Sequence, residues 1–279
     1  MSSACEQNAN NSEAISEYIN QLRRSYTGDS IDKKENAEQL LKKIEMSVAN
    51  KCKQADEMWT DMEKRIDALA AEYGFTMSPS SFSILDDGCG TAAFTHVLTA
   101  RGYNVTGIDP DMDSLSLGTK LYTKNTRVIQ AYGEQLPLRD ESFDLVISKS
   151  VLEHVNDKIS YMEEIYRTLK KPGIFINVWI PNRWWYLEHH TLLPIYKCFR
   201  GREIAIQKHF GLQPYGRIDP PNYFDLIKVM KRFAWKFEVQ KGPLVLGSSI
   251  LSKVANKIAA HINMSKLFCS GWSMLAVKA

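Results

Sequence analysis

Residues 81–92 read Ser-Phe-Ser-Ile-Leu-Asp-Asp-Gly-Cys-Gly-Thr-Ala, and no other stretch constrains the chain as much. A short apolar run (Phe82, Ile84, Leu85) has the character of a buried parallel strand. It runs into two carboxylates, Asp86 and Asp87, and then into Gly88-Cys89-Gly90. Past the glycines, Phe94, Val97, Leu98 and Ala100 recur at helical spacing, and Gly102 marks the stop. Strand, tight glycine turn and helix together open a nucleotide-binding βαβ unit. Glycine lets the backbone approach a ligand with no Cβ in the way. The acids then choose between ligands. A carboxylate at the strand tip opposes a dinucleotide pyrophosphate but suits a cationic amino group.

The turn resembles the first motif of the class I S-adenosylmethionine-dependent methyltransferases: an apolar strand, an acid, then Gly-x-Gly-x-Gly. Ile84 to Gly90 follows that motif position by position, and Ala92 stands at the place of the third glycine. The resemblance implies an α/β fold: a Rossmann-like, seven-stranded, mostly parallel sheet with helices on both faces and an N-terminal helical lid. It also implies S-adenosyl-L-methionine as cofactor, held at Asp86, Gly88, Cys89 and Gly90. Cys89 is read as a small residue that fits the turn, not as a nucleophile.

A second strand, Tyr103 to Ile108, ends at Asp109. An acid about 20 residues past a glycine turn, at a strand's carboxyl end, is placed to accept ribose hydroxyls. The same residue is also a plausible cap for the next helix. The resemblance adds Pro110 and Met112 beside the adenine. A third strand, Thr126 to Ala131, leads into Tyr132-Gly133-Glu134-Gln135-Leu136-Pro137-Leu138, and a fourth follows over Phe143 to Ser148. This block resembles a second family signature, in which an Asp accepts from the adenine amino group. Tyr132 occupies that place, so Gly133 and Glu134 become the expected adenine contacts.

The segment Ser148-Lys149-Ser150-Val151-Leu152-Glu153-His154 resembles the family's Val-Leu-Glu-His stretch. It implies cofactor contacts at Ser148 and Lys149 and an acceptor-facing His154. A helix through Ile159, Met162, Ile165 and Leu169 is expected to end at Lys171-Pro172-Gly173, ahead of a fifth strand over 174–180. Helix 223–233, a sixth strand (236–239) and a last strand (273–278) complete the count. A nicotinamide-dependent oxidoreductase is the rival enzyme, because Gly88 to Ala93 also fits Gly-x-Gly-x-x-Ala. A non-catalytic binding protein on the same fold is the other alternative, suggested by Ala92 and Tyr132.

With 24% charged and 44% hydrophobic residues, the 279-residue chain has the make-up of a globular protein with one sizeable core. A net charge of +3 with scattered Lys and Arg gives no basic stripe for nucleic acid. Five widely spaced cysteines form neither a metal-binding spacing nor a disulfide framework. No apolar stretch reaches about 18 residues and Met1 to Asn20 is polar, so no leader or membrane span is expected. A cytoplasmic location follows from the cysteine usage.

Residues 1–30 read as a flexible tail, 31–76 as a helical cap, and 77–279 as the methyltransferase-like domain. Within the cap, an earlier helix carries Leu41, Ile44 and Val48, and a later one carries Ala55, Trp59, Met62, Ile66, Leu69 and Tyr73. A stripe packed on the sheet explains most of these residues. An acceptor-side insertion spans 181–221 and opens Pro181-Asn182-Arg183-Trp184-Trp185-Tyr186-Leu187-Glu188-His189-His190. It resembles a pattern from family members that methylate small molecules and polysaccharide precursors, which implies a small-molecule or glycan-type acceptor. His154 and His190 are the candidate bases where the acceptor must lose a proton. The amphipathic stretch 244–268 suits a sheet-covering helix better than a membrane-surface one. The sequence leaves the oligomeric state open.

Overall fold

The computed structural model describes residues 37–122, 126–183, 219–241 and 271–279. The aromatic insertion past Arg183, with His190, lies outside them, as do the stretch 244–268 and the tail. Seven strands are present: β1 (Ser83–Asp87), β2 (Asn104–Asp109), β3 (Arg127–Gln130), β4 (Phe143–Ser148), β5 (Leu169–Pro181), β6 (Trp235–Lys241) and β7 (Gly271–Lys278). They form one sheet in the order β3-β2-β1-β4-β5-β7-β6. Pairing is parallel for β1–β2, β2–β3 and β4–β5, and antiparallel where β7 lies between β5 and β6. The chain divides into two compact units, Met1–Tyr132 and Gly133–Ala279.

In the first unit, residues 37–72 form one helix, α1 (Ala37–Glu72), in place of the two expected. Nothing between Val48 and Ala55 is Gly or Pro, so no residue there breaks the helix. It ends as anticipated at Gly74, whose φ of 81° is the left-handed conformation glycine adopts freely. Its buried stripe packs on α2 (Ala93–Ala100) and on the start of β2. Trp59 is fully buried, edge-on to Phe94 at 6.2 Å and to Tyr103 at 5.0 Å between ring centres. Beside this contact, Arg101 pairs with Asp56 at 2.8 Å and Glu63 at 3.3 Å, and the Tyr103 hydroxyl donates to Glu63 at 2.7 Å. These contacts are packing, so Trp59 is a core residue.

Helix α3 (Met112–Leu121) follows β2. Its N-cap is Asp111, which accepts from Asp113 N–H at 3.1 Å and from the Ser114 hydroxyl at 2.7 Å. Asp109 is therefore not the cap of this helix and keeps its carboxylate for other partners.

In the second unit, α4 (Lys158–Thr168) is capped by Asp157 through Ile159 N–H at 2.9 Å and ends three residues before the expected Lys171. Tertiary donors claim the carbonyls of the last turn. Glu141 N–H bonds Arg167 O at 2.9 Å, Ser142 N–H bonds Thr168 O at 2.9 Å, and Lys278 Nζ bonds Tyr166 O at 2.9 Å and Leu169 O at 2.7 Å. Leu169 turns to an extended conformation and opens β5. Helix α5 (Tyr223–Met230), capped by Asn222, leads to β6. There Trp235 sits among Tyr166, Phe175 and Phe233 and donates its indole N–H to Met230 O at 2.8 Å.

Candidate active site

In the first unit, the glycine turn and the acids Asp86 and Asp109 meet at the carboxyl tips of β1 and β2. Gly88 and Cys89 both donate their backbone N–H to Ile108 O, at 2.9 and 2.8 Å, which pins the turn to the end of β2. Gly88 and Gly90 have φ values of 75° and 53°, in the left-handed region. The Gly90 N–H donates to Asp109 Oδ2 at 2.8 Å, and the Asp111 N–H donates to Asp109 Oδ1 at 2.9 Å. A Cβ built on Gly90 meets nothing within 4 Å, so the turn leaves open space there. Pro110 and Met112 follow on the exposed surface.

Ala92, at the place of the third glycine, takes the left-handed conformation itself, with φ 58°. The turn keeps a glycine-like path at a local cost of about 1–2 kcal/mol. Ala92 is the N-cap of α2 and offers no side-chain bond, so the helix start is uncapped by side chains.

Asp86 is buried and accepts from the Thr95 hydroxyl at 2.6 Å. Desolvation by burial pushes its carboxyl up to about 6, with the hydrogen bond from Thr95 acting against that rise. The Cys89 thiol is pushed up by burial and by the carboxylates of Asp86, Asp109 and Asp87. A thiol held neutral is no nucleophile, in line with its reading as a turn residue.

Three supporting residues had no sequence signal. Thr95 holds Asp86. Gly107, across from Asp86 on β2, leaves room for Thr95 and Cys89, since a Cβ there would stand 2.7 Å from Thr95 Oγ1 and 2.9 Å from Cys89 Sγ. Gly118 on α3 lets that helix approach the turn, because a Cβ would stand 2.4 Å from Thr91 O, a backbone atom that cannot swing aside.

In the second unit, Ser148 closes β4. Its hydroxyl is fully buried and accepts from the Tyr161 hydroxyl at 2.9 Å. Lys149 is exposed, and Ser150 takes a left-handed φ of 55°. A tight turn follows, in which His154 N–H bonds Val151 O at 2.8 Å. Leu152, Glu153 and Val155 are buried, whereas His154 is exposed. Gly133 and Glu134 are half-buried, and Glu134 Oε1 accepts from Asn156 N–H at 2.8 Å. At the neck of the insertion, Arg183 bonds Asp219 at 2.6 Å and Pro220 O at 2.8 Å, and Asp219 N–H reaches Glu153 O at 2.7 Å. The structure thus brings Asp86, Gly88, Cys89, Gly90 and Asp109 together in one unit, and Glu134 together with the start of α4 in the other. Among the described residues, no cluster has the make-up of a metal site, and no helix is long and apolar enough to cross a membrane.

Residues 85–177 match the family described as Methyltransferase domain. An uncharacterized methyltransferase of Mycobacterium sp. (strain KMS) is 30% identical over 106 residues, covering 37% of this chain and 42% of the relative. A ubiquinone biosynthesis O-methyltransferase of Rickettsia bellii (strain OSU 85-389) is 32% identical over 100 residues, covering 35% and 41% respectively. The matching region therefore spans about two fifths of these relatives' length. In fold, the chain resembles an S-adenosylmethionine dependent methyltransferase of Mesorhizobium loti, with a TM-score of 0.50 at 16% identity over 75% of this chain and 95% of that one. The sequence match over residues 85–177 and the likeness in fold agree that this stretch is similar to methyltransferase domains.

Proposed function

We propose that the protein transfers a methyl group from S-adenosylmethionine to a small-molecule or glycan-type acceptor. The observation that carries this reading is the cradle at the tips of β1 and β2, where the Gly90 N–H meets Asp109 and Asp86 lies buried beside Thr95. The donor set suits the cofactor. A carboxylate has about four lone-pair sites, so Asp109 accepts ribose hydroxyls while still holding the backbone N–H groups of Gly90 and Asp111. Asp86 balances the cationic amino group of the methionine moiety, and the open space at Gly90 admits the ligand to the backbone. Pro110 and Met112 border the adenine. Gly133, Glu134, Ser148 and Lys149 keep the cofactor contacts that the family resemblance implies; for Ser148, whose hydroxyl is held by Tyr161, the contact is through its backbone.

The cofactor supplies a methyl carbon already activated by its sulfonium, and in-line displacement moves that methyl to the acceptor. The protein's part is alignment, which supplies roughly 7–11 kcal/mol at the extreme. An acceptor hydroxyl or amine also has to lose a proton. His154, exposed on the turn after β4, is the candidate base, with His190 as the alternative outside the described residues. The insertion's resemblance and the relative named for ubiquinone biosynthesis both favour a small acceptor. Mass spectrometry on reactions of the protein, S-adenosylmethionine and a panel of phenols, quinols and sugar derivatives tests this directly. A gain of one methyl on an acceptor supports the reading. Consumption of the cofactor with the methyl found only on protein or nucleic acid contradicts the acceptor class.

A further inference from the structure

Buried polar groups need hydrogen-bond partners. In the second unit Thr168 Oγ1 donates to Glu164 O at 2.9 Å, and Lys278 Nζ donates to Leu169 O at 2.7 Å. Asn177 on β5 differs. It is 0% exposed, and among the described residues neither its Nδ2 nor its Oδ1 has a hydrogen-bond partner. Exchanging the amide nitrogen and oxygen changes nothing, because both atoms are unpaired.

The register of the sheet fixes what stands beside that amide. Asn177 lies across from Ser148 on β4 and from Met274 on β7. Residues paired on adjacent strands share a face, and the strands are about 4.8 Å apart. On the Met274 side a thioether is only a weak acceptor. On the other side the Ser148 hydroxyl accepts from the Tyr161 hydroxyl at 2.9 Å, which leaves its own proton to donate elsewhere. Asn177 and Ser148 do not bond each other directly. An unmet amide and a donating hydroxyl thus stand side by side, farther apart than one hydrogen bond.

We propose that Asn177 and Ser148 hold an internal water between them. Water both donates and accepts, so it can take the Ser148 proton and hydrogen-bond the amide across a gap neither side chain closes alone. A larger polar ligand has no way in, since both residues are 0% exposed. The chain of bonds from Tyr161 through Ser148 and the water to Asn177 then joins α4, β4 and β5 at the carboxyl tip of β4. It does not depend on the cofactor reading.

A high-resolution crystal structure of the full chain should show an ordered water within hydrogen-bonding distance of Ser148 Oγ and of an Asn177 amide atom. A protein atom bonded to that amide, or an amide with no partner, overturns the proposal. Asn177→Leu keeps nearly the same shape without polar atoms and tests the sign separately. Loss of a water-mediated bond should lower the melting temperature by about 2 °C or more. Removal of a dry, unpaired amide would leave the melting temperature unchanged or raise it, and that result overturns the proposal. Ser148→Ala should cost less in the Asn177→Leu background than in wild type, because the two residues share one water. An equal loss in both backgrounds overturns the bridge.

Discussion

The Gly90 backbone N–H donates to Asp109 Oδ2 at 2.8 Å across 19 residues of sequence, joining the glycine turn of β1 to the acid at the tip of β2. One carboxylate thus fixes the path of the turn and, in the proposed function, also accepts the ligand's ribose. On that proposal, turn geometry and cofactor affinity are coupled through that single group.

Gly90→Ala separates binding from folding. The new methyl meets no protein atom within 4 Å, so the structural cost is that of a left-handed alanine, about 1–2 kcal/mol. The methyl would stand where the cofactor meets the turn, and cofactor affinity should drop well beyond that stability loss. Thermal melting and a binding titration on the same sample check this. Unchanged affinity in Gly90→Ala would place the cofactor elsewhere.

Asp86 should make cofactor affinity and apo-protein stability respond oppositely to pH. Its folded-state carboxyl lies near 6 against 3.8 for an ordinary one, so its contribution to stability is present below 3.8 and lost as pH rises through 6. Pairing with a cationic amino group needs the ionised form, so affinity should fall as pH drops through that same value. Asp86→Asn, which retains an acceptor for the Thr95 hydroxyl, should stabilise the apo protein by up to about 3 kcal/mol at about pH 8 and weaken cofactor binding there. Stabilisation of the wild type on raising the pH, with no change from Asp86→Asn, would contradict the assignment.

How much of this was legible in the sequence depended on how local each determinant is. β1, β2, β4 and β7 appear where apolar runs meet Gly, Asp or Lys boundaries, and the Gly74 stop is a one-residue signal. The end of α4 was not legible, because Lys278, 109 residues from Leu169, and the N–H groups of Glu141 and Ser142 take the carbonyls that end it. Asp109 is the cap that its place at the strand end suggests, and only the fold shows that Asp111 caps α3 instead. Gly107 and Gly118 are needed because Thr95, Cys89 and Thr91 lie against them, a requirement with no trace in local sequence. The single helix α1 was readable after all, since no breaker separates its two apolar stripes.

Trp59 tests whether the N-terminal helix is packing or lid. Truncating this fully buried side chain should cost about 3–5 kcal/mol. Cofactor affinity, measured well below the melting temperature, should match wild type. Loss of affinity without loss of stability would make α1 part of the binding surface.

His154→Gln keeps side-chain size and one hydrogen-bonding group while removing the base. With a hydroxyl acceptor, turnover should fall by roughly 10²–10⁴ with cofactor affinity retained. The exposed position of the ring predicts little change in melting temperature. Wild-type turnover in this variant, alongside loss in His190→Gln, would move the base into the insertion.

The most direct measurement is isothermal titration of the wild type and Asp109→Ala with S-adenosylmethionine, and separately with NAD. The cradle at β1 and β2 predicts one-to-one binding of S-adenosylmethionine, no binding of NAD, and at least about a tenfold loss of affinity in Asp109→Ala, where a charge-assisted pair of hydrogen bonds is removed. Binding of NAD in place of S-adenosylmethionine, or an unchanged dissociation constant in folded Asp109→Ala, would contradict it.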